Sequence, residues 1–195
     1  MSRPDSRTFA KDETRMNMIP AYMGLIKQID DHIGRLIKFL EDNGRMDDTM
    51  IVFTSDHGDY LGDHYLAEKD LFHEMSVRIP MIVYDPDINS DSTRGAVDDR
   101  FVEAIDLVPT FIEAAGGEVP DHIIEGHSLK PLLNGTNPKD WRQYVVSESN
   151  YAAKFANWEF GIKPSQARGT MIRTCLLYTS PSPRDATLSR MPSSA

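Results

Sequence analysis

The stretch MIVFTSDHGDYLGDHYLAEKD, Met50–Asp70, decides how the rest of the chain is read. Met50–Thr54 is a continuous apolar run, the signature of a strand covered on both faces. It ends abruptly in charge: Asp56, His57, Asp59, Asp63 and His64 follow within a few positions, then Lys69. Such an ending fits either a solvated loop or a strand that holds a charged site in place. In open α/β sheets, ligands gather beyond the carboxyl ends of the strands. Asp56 and His57 stand two and three residues past Thr54, at that place. Gly58 predicts a tight chain reversal close to a ligand. A turn lets a carboxylate and an imidazole converge, giving a divalent ion one oxygen and one nitrogen donor. From these residues alone, a metal site and a solvated turn stand level.

The flanking sequence sets the frame. Residues 1–19 are a polar lead-in. From Pro20 to Gly44, Tyr22, Leu25, Ile26, Ile29, Ile33, Leu36, Ile37 and Leu40 recur at helical spacing, predicting an amphipathic helix. Pro20 suits its first turn and Asn43-Gly44 its end. A second apolar strand is expected at Ile79–Asp85, then a polar loop, then a helix over DLVPTFIEAAGG, capped by Asp106 and ended by Gly116-Gly117. Helix, strand, strand, helix with buried strands predicts an α/β domain with a largely parallel sheet.

Composition narrows the classes. At 195 residues the chain can bury a real core, and its formal charge of −9 argues against general affinity for nucleic acid or anionic membrane. No run of the roughly eighteen apolar residues needed for a span occurs. The opening MSRPDSRTFAKDETR has no apolar signal segment. Periplasmic, secreted and cytoplasmic locations all stay open.

The last residues change style. CLLYTSPSPRDATLSRMPSSA, residues 175–195, has no periodicity. Back-translated, it resembles two segments of sequencing adapter in one frame around an index-sized gap at Ala186–Leu188. The expected division is therefore 1–174 native and 175–195 a non-native scar. Cys175, the sole cysteine, then belongs to the scar and carries no redox inference.

Residues 16–150 as a whole resemble the sulfatase family of the alkaline-phosphatase-like superfamily. The resemblance is carried by TSDHGDYLGDHYLAEKDLFHEMSVRIPMIVYDP, IDLVPTFIEAAG, IEGHSLKPLL and WRQYVVSESN, in that order. It implies part of a three-layer α/β fold with a largely parallel sheet, the N-terminal half missing. It implies sulfate ester hydrolysis around one divalent cation, with Asp56 and His57 matching the late pair of metal ligands. It gives Lys69 the catalytic and substrate-binding place against the sulfate oxygens. That choice of types is chemically sensible, because a metal ion and an ammonium together neutralise the oxygens of a breaking ester. The resemblance implies Ca2+. His57, where asparagine is also found, leaves Mn2+, Fe2+ and Zn2+ open. It also implies a formylglycine nucleophile, a maturation enzyme that makes it, and a sulfate-ester small molecule or glycan as substrate.

The departures are equally specific. The Cys/Ser-x-Pro-x-Arg motif that yields formylglycine is absent: SRPDSR, residues 2–7, has the wrong spacing and SPSPR lies in the tail. The early aspartate pair is absent too. The expectation is a fragment cut at both ends and inactive by itself. Two other readings stand beside it: a phosphonate or phosphate ester hydrolase of the same superfamily, and a non-catalytic cation-binding or structural piece. Asp59, Asp63 and His64 read as supporting or solvated groups, His73 and Glu74 as structural, and Arg78 as half of a buried or half-buried ion pair. His122 and His127 read as loop residues with no partner at ligand spacing.

Overall fold

A computed structural model describes residues 11–69, 71–150, 161, 168–174 and 178–179. The backbone forms two compact units, Met1–Ile88 and Asn89–Ala195.

In the first unit, helix α1 runs over Asp12–Asp42, beginning well before Pro20, which lies inside it. Proline removes one donor and crowds the carbonyl four residues back. That local cost is absorbed by the turns on either side, led by Asp12 and Glu13 at the positive end of the helix dipole. Asn43-Gly44 ends the helix as expected, with Gly44 at φ +63° and its N–H donating to Glu41 O. Among the described residues no side chain of α1 is buried, and Leu25, Ile26, Ile29 and Leu36 of its apolar stripe are exposed.

Strands β1, Ile51–Thr54, and β2, Met81–Tyr84, pair antiparallel, from Ile51↔Tyr84 to Thr54↔Met81. The mixed α/β character stands, but this pair is not the parallel one expected. A continuous apolar run reports that both faces want cover, not which way the neighbour points. Here Thr54 Oγ1 donates to Pro80 O at 2.8 Å, latching the end of β1 to the start of β2. At the other end Tyr84 Oη donates to Met46 O at 3.3 Å. One face of the pair, with Phe53 opposite Ile82, is exposed. Between the strands lies a short helix, α2, Glu74–Val77, packed beneath the turn that follows β1.

In the second unit a tight turn, Ala104–Asp106, leads into helix α3, Leu107–Ala114. Asp106 does not cap α3. Its carboxylate points away from the helix and is fully buried. It accepts hydrogen bonds from the N–H of Glu103 and of His127, both at 2.8 Å, and from Arg142 Nη2 and Nη1 at 2.5 and 2.8 Å. A buried carboxylate is stable only when so satisfied, and a fork of guanidinium N–H groups outcompetes one helical N–H. Thr110 Oγ1 extends the network, donating to Asp106 O and accepting from Leu129 N–H. Helix α3 closes as expected, Gly116 at φ +77° and Gly117 N–H on Ile112 O. After helix α4, Lys130–Leu133, strands β3, Tyr144–Asn150, and β4, Arg168–Thr174, form an antiparallel ladder around buried Met171. Every ladder among the described residues is antiparallel.

The tail expected to be foreign lies mostly outside the described residues. Its Tyr178–Thr179 form β5, pairing with Arg173 and Ile172 of β4, a rung the sequence reading did not expect.

Candidate active site

Beyond Thr54 the chain turns at once. Ser55 Oγ donates to His57 O at 2.7 Å and His57 N–H donates to Asp56 Oδ1 at 3.0 Å, folding Asp56 and His57 over each other. Gly58 is needed at this point for a reason different from the one expected. A Cβ there would lie 1.8 Å from Met75 O, so glycine admits the backbone of α2 rather than a ligand. Gly58 N–H donates to Ser76 O at 2.9 Å, which fixes the turn to that helix.

The result is a small polar constellation. Asp56 Oδ2 lies 3.3 Å from His57 Nε2, and Lys69 Nζ lies 2.6 Å from the same nitrogen. His57 Nδ1 is 2.7 Å from Gly58 O, a carbonyl that can only accept, so Nδ1 carries the proton and Nε2 the lone pair. Lys69 donates to that lone pair. Sequence reasoning thus selected three residues that fold into one contact set, twelve and thirteen positions apart for Lys69. The Asp56 carboxylate is mostly exposed. Slight desolvation pushes its pKa up, but the His57 backbone N–H bond and the nearby Lys69 charge hold it below the ordinary 3.8. It is ionised and available near neutrality.

These atoms suit a divalent ion. Donors bound about 2.1–2.4 Å from one metal, at right angles, stand about 3 Å apart, close to the 3.3 Å seen here. A deprotonated Nε2 fixed by a bond to Nδ1 is the form a metal takes. Among the described residues no group of three or more His, Cys, Asp or Glu side chains is placed to hold a metal. Asp56 and His57 are two donors, not a full shell.

The other singled-out residues fall elsewhere. Asp59 Oδ1 accepts from Leu61 N–H and closes a turn, and Asp63 pairs with Arg15 at 3.1 Å. Arg78 is an exposed partner of Glu74 at 3.9 Å, not the buried or half-buried pair expected. His127 Nδ1 lies 2.7 Å from Arg142 Nη2, a guanidinium that is no metal ligand. One participant, Tyr60, escaped the sequence reading, and so did the stack of His64 on His73. Tyr60, almost fully buried, donates to or accepts from His73 Nδ1 at 3.0 Å, and His64 stacks on His73 with ring centroids 4.3 Å apart. The signal was available: Tyr60 and Leu61 form an apolar pair inside a run of acids and glycines.

The sulfatase family profile matches residues 2–117. The chain belongs to the sulfatase family. It is 41% identical over 145 residues to the multifunctional alkaline phosphatase superfamily protein PehA of Trinickia caryophylli, covering 74% of this chain and 28% of that one. It is 38% identical over 156 residues to an N-acetylglucosamine-6-O-sulfatase of Bacteroides thetaiotaomicron, covering 78% of this chain and 26% of the relative. In fold it superposes on the phosphonate monoester hydrolase of Silicibacter pomeroyi with a TM-score of 0.82 at 34% identity, over 93% of this chain and 35% of that structure. This sulfatase chain therefore spans about a quarter to a third of the length of the proteins it matches. Sulfatases in general work with a divalent metal ion and a formylglycine.

Proposed function

We propose that this chain furnishes one wall of the active site of a sulfuric ester hydrolase. Asp56 and His57 supply two ligands to a divalent cation and Lys69 meets the sulfate oxygens. The observation that carries the reading is the convergence of Asp56 Oδ2, His57 Nε2 and Lys69 Nζ beyond the end of β1. When bound, the cation withdraws charge from the ester oxygens. The chain's own residues do the rest of this wall's work. Gly58 O holds the proton of His57 on Nδ1, leaving Nε2 free to bind. Asp56 contributes anionic oxygen that stays ionised near neutrality. Lys69 is a compact cation on a flexible stem, able to leave Nε2 for an anion. Calcium fits the oxygen donor, and the nitrogen donor admits manganese, iron or zinc.

The nucleophile would be a formylglycine in a segment N-terminal to this chain, made by a maturation enzyme. The substrate would be a sulfate-ester small molecule or glycan, as the name of the Bacteroides relative suggests for that protein. The chain alone lacks the nucleophile and should turn over neither sulfate nor phosphonate esters. A second reading has its own support, because the Silicibacter structure is a phosphonate monoester hydrolase. The full-length parent, expressed with a maturation enzyme and offered an aryl sulfate and an aryl phosphonate monoester, separates the two. A higher kcat/KM on the sulfate supports the first reading. A higher value on the phosphonate replaces it with the second.

A further inference from the structure

Lys69 and His57 meet at 2.6 Å although twelve residues separate them, and the intervening loop is not relaxed. Leu61, His64, Tyr65 and Glu68 all have left-handed backbone, at φ +46°, +54°, +57° and +58°. Non-glycine residues adopt that region at a cost and keep it only where surrounding contacts insist. Glu68 directly precedes Lys69, so its strained φ sets the direction in which the lysine stem departs.

The contacts that insist form a closed circuit. Tyr60 N–H donates to Glu68 O at 3.0 Å, gripping the backbone next to Lys69. The Tyr60 hydroxyl bonds His73 Nδ1 at 3.0 Å, and the Tyr60 side chain is only 1% exposed. His73 begins α2: its carbonyl accepts from Ser76 and Val77 N–H at 2.9 and 3.1 Å. Ser76 O in turn accepts from Gly58 N–H, next to His57. Both sides of the Lys69–His57 contact are thus tied to the same turn of helix. His64 stacks on His73, 15° from parallel, and meets the Tyr60 ring edge-on at 83°. The Arg15–Asp63 pair holds the outer part of the loop.

We infer that Tyr60 and His73 are positioning residues that aim Lys69 at His57, acting through the strained Glu68 backbone. The inference rests on Lys69 being the cation that serves the site. Tyr60 acts through the Glu68 carbonyl and His73 through the turn of α2, so their role is indirect. The hydroxyl-to-imidazole bond is its critical link. Without it the Tyr60 ring can shift, the Glu68 carbonyl loses its donor, and the loop can relax toward ordinary backbone.

The test uses this chain and a small amine-acylating reagent, with site-by-site rates read by mass spectrometry. Lys139, an exposed turn lysine, is the internal reference. In the wild type Lys69 should react about tenfold more slowly than Lys139, the protection one hydrogen bond on a charged group confers. Tyr60→Phe and His73→Phe should bring the Lys69 rate to that of Lys139, with far-ultraviolet circular dichroism unchanged. His73→Asn keeps an acceptor near the Nδ1 position and should restore most of the protection. Global unfolding in the Phe variants is distinguished by the dichroism, and the Asn rescue then decides. Equal Lys69 rates in wild type and Tyr60→Phe would overturn the inference. So would a failure of His73→Asn to differ from His73→Phe. Neither outcome touches the sulfatase reading, which depends on turnover by the full-length parent.

Discussion

At the scale of single residues, the site is a competition for one lone pair. His57 Nε2 accepts from Lys69 here, and a divalent ion coordinated by His57 needs the same electrons. Millimolar manganese should therefore speed acylation of Lys69 in this chain and leave Lys139 unchanged; an unchanged or slower Lys69 rate would separate the lysine from the metal pair. His73 offers a second test. Burial, then the charge of nearby His64, holds its pKa below 6.5 in the folded chain. A depressed folded pKa means the unfolded chain takes up the proton first as pH falls. The stabilising contribution is complete above about 6.5 and is lost as pH drops through the folded value. Urea midpoints measured from pH 7.5 down to 5.5 (about one unit either side of the histidine value) should fall more for wild type than for His73→Phe. Parallel curves would place the acid sensitivity elsewhere.

At the scale of elements, much was legible and the failures have identifiable causes. The apolar run of Met50–Thr54 marked β1, and the rule for strand carboxyl ends put Asp56 and His57 at its exit, as found. The direction of pairing was not legible, because apolarity measures burial and not polarity of the chain. Pro20 misled, since a local penalty was weighed above the favourable flanks that carry α1 past it. Asp106 read as a cap because its partner, Arg142, lies 36 residues away, and no local pattern announces such a pair. Tyr60 and its bond to His73 were missed for the same reason: that bond spans thirteen residues of strained loop. The turn carrying the site depends on α2 through Gly58. In Gly58→Ala the new methyl meets the Met75 carbonyl, backbone that cannot swing aside. Overpacking of this kind costs roughly 1–3 kcal/mol. Thermal denaturation should show the loss, and a midpoint within error of wild type would mean the helix and the turn separate freely.

At the scale of the whole molecule, the exposed stripe of α1 and the open face of β1 and β2 are surfaces patterned for burial. Apolar faces and unpaired strand edges of this sort favour association of the isolated chain. The division at residue 174 belongs to this scale as well. On the proposal that 175–195 is foreign, deleting it removes, among the described residues, the short rung at Tyr178–Thr179, and the thermal midpoint should not move. A cooperative loss of folding would make the tail part of the protein. The central claim is that Asp56, His57 and Lys69 belong to one ester-cleaving site. Its most direct test is kcat/KM for an aryl sulfate in the full-length, matured parent, comparing wild type with Lys69→Ala and Asp56→Ala. Loss of one charged group aimed at a developing anion costs about a hundredfold to a thousandfold, and each variant should fall by at least that much while retaining its fold. Turnover within twofold of wild type in Lys69→Ala or Asp56→Ala would contradict the account.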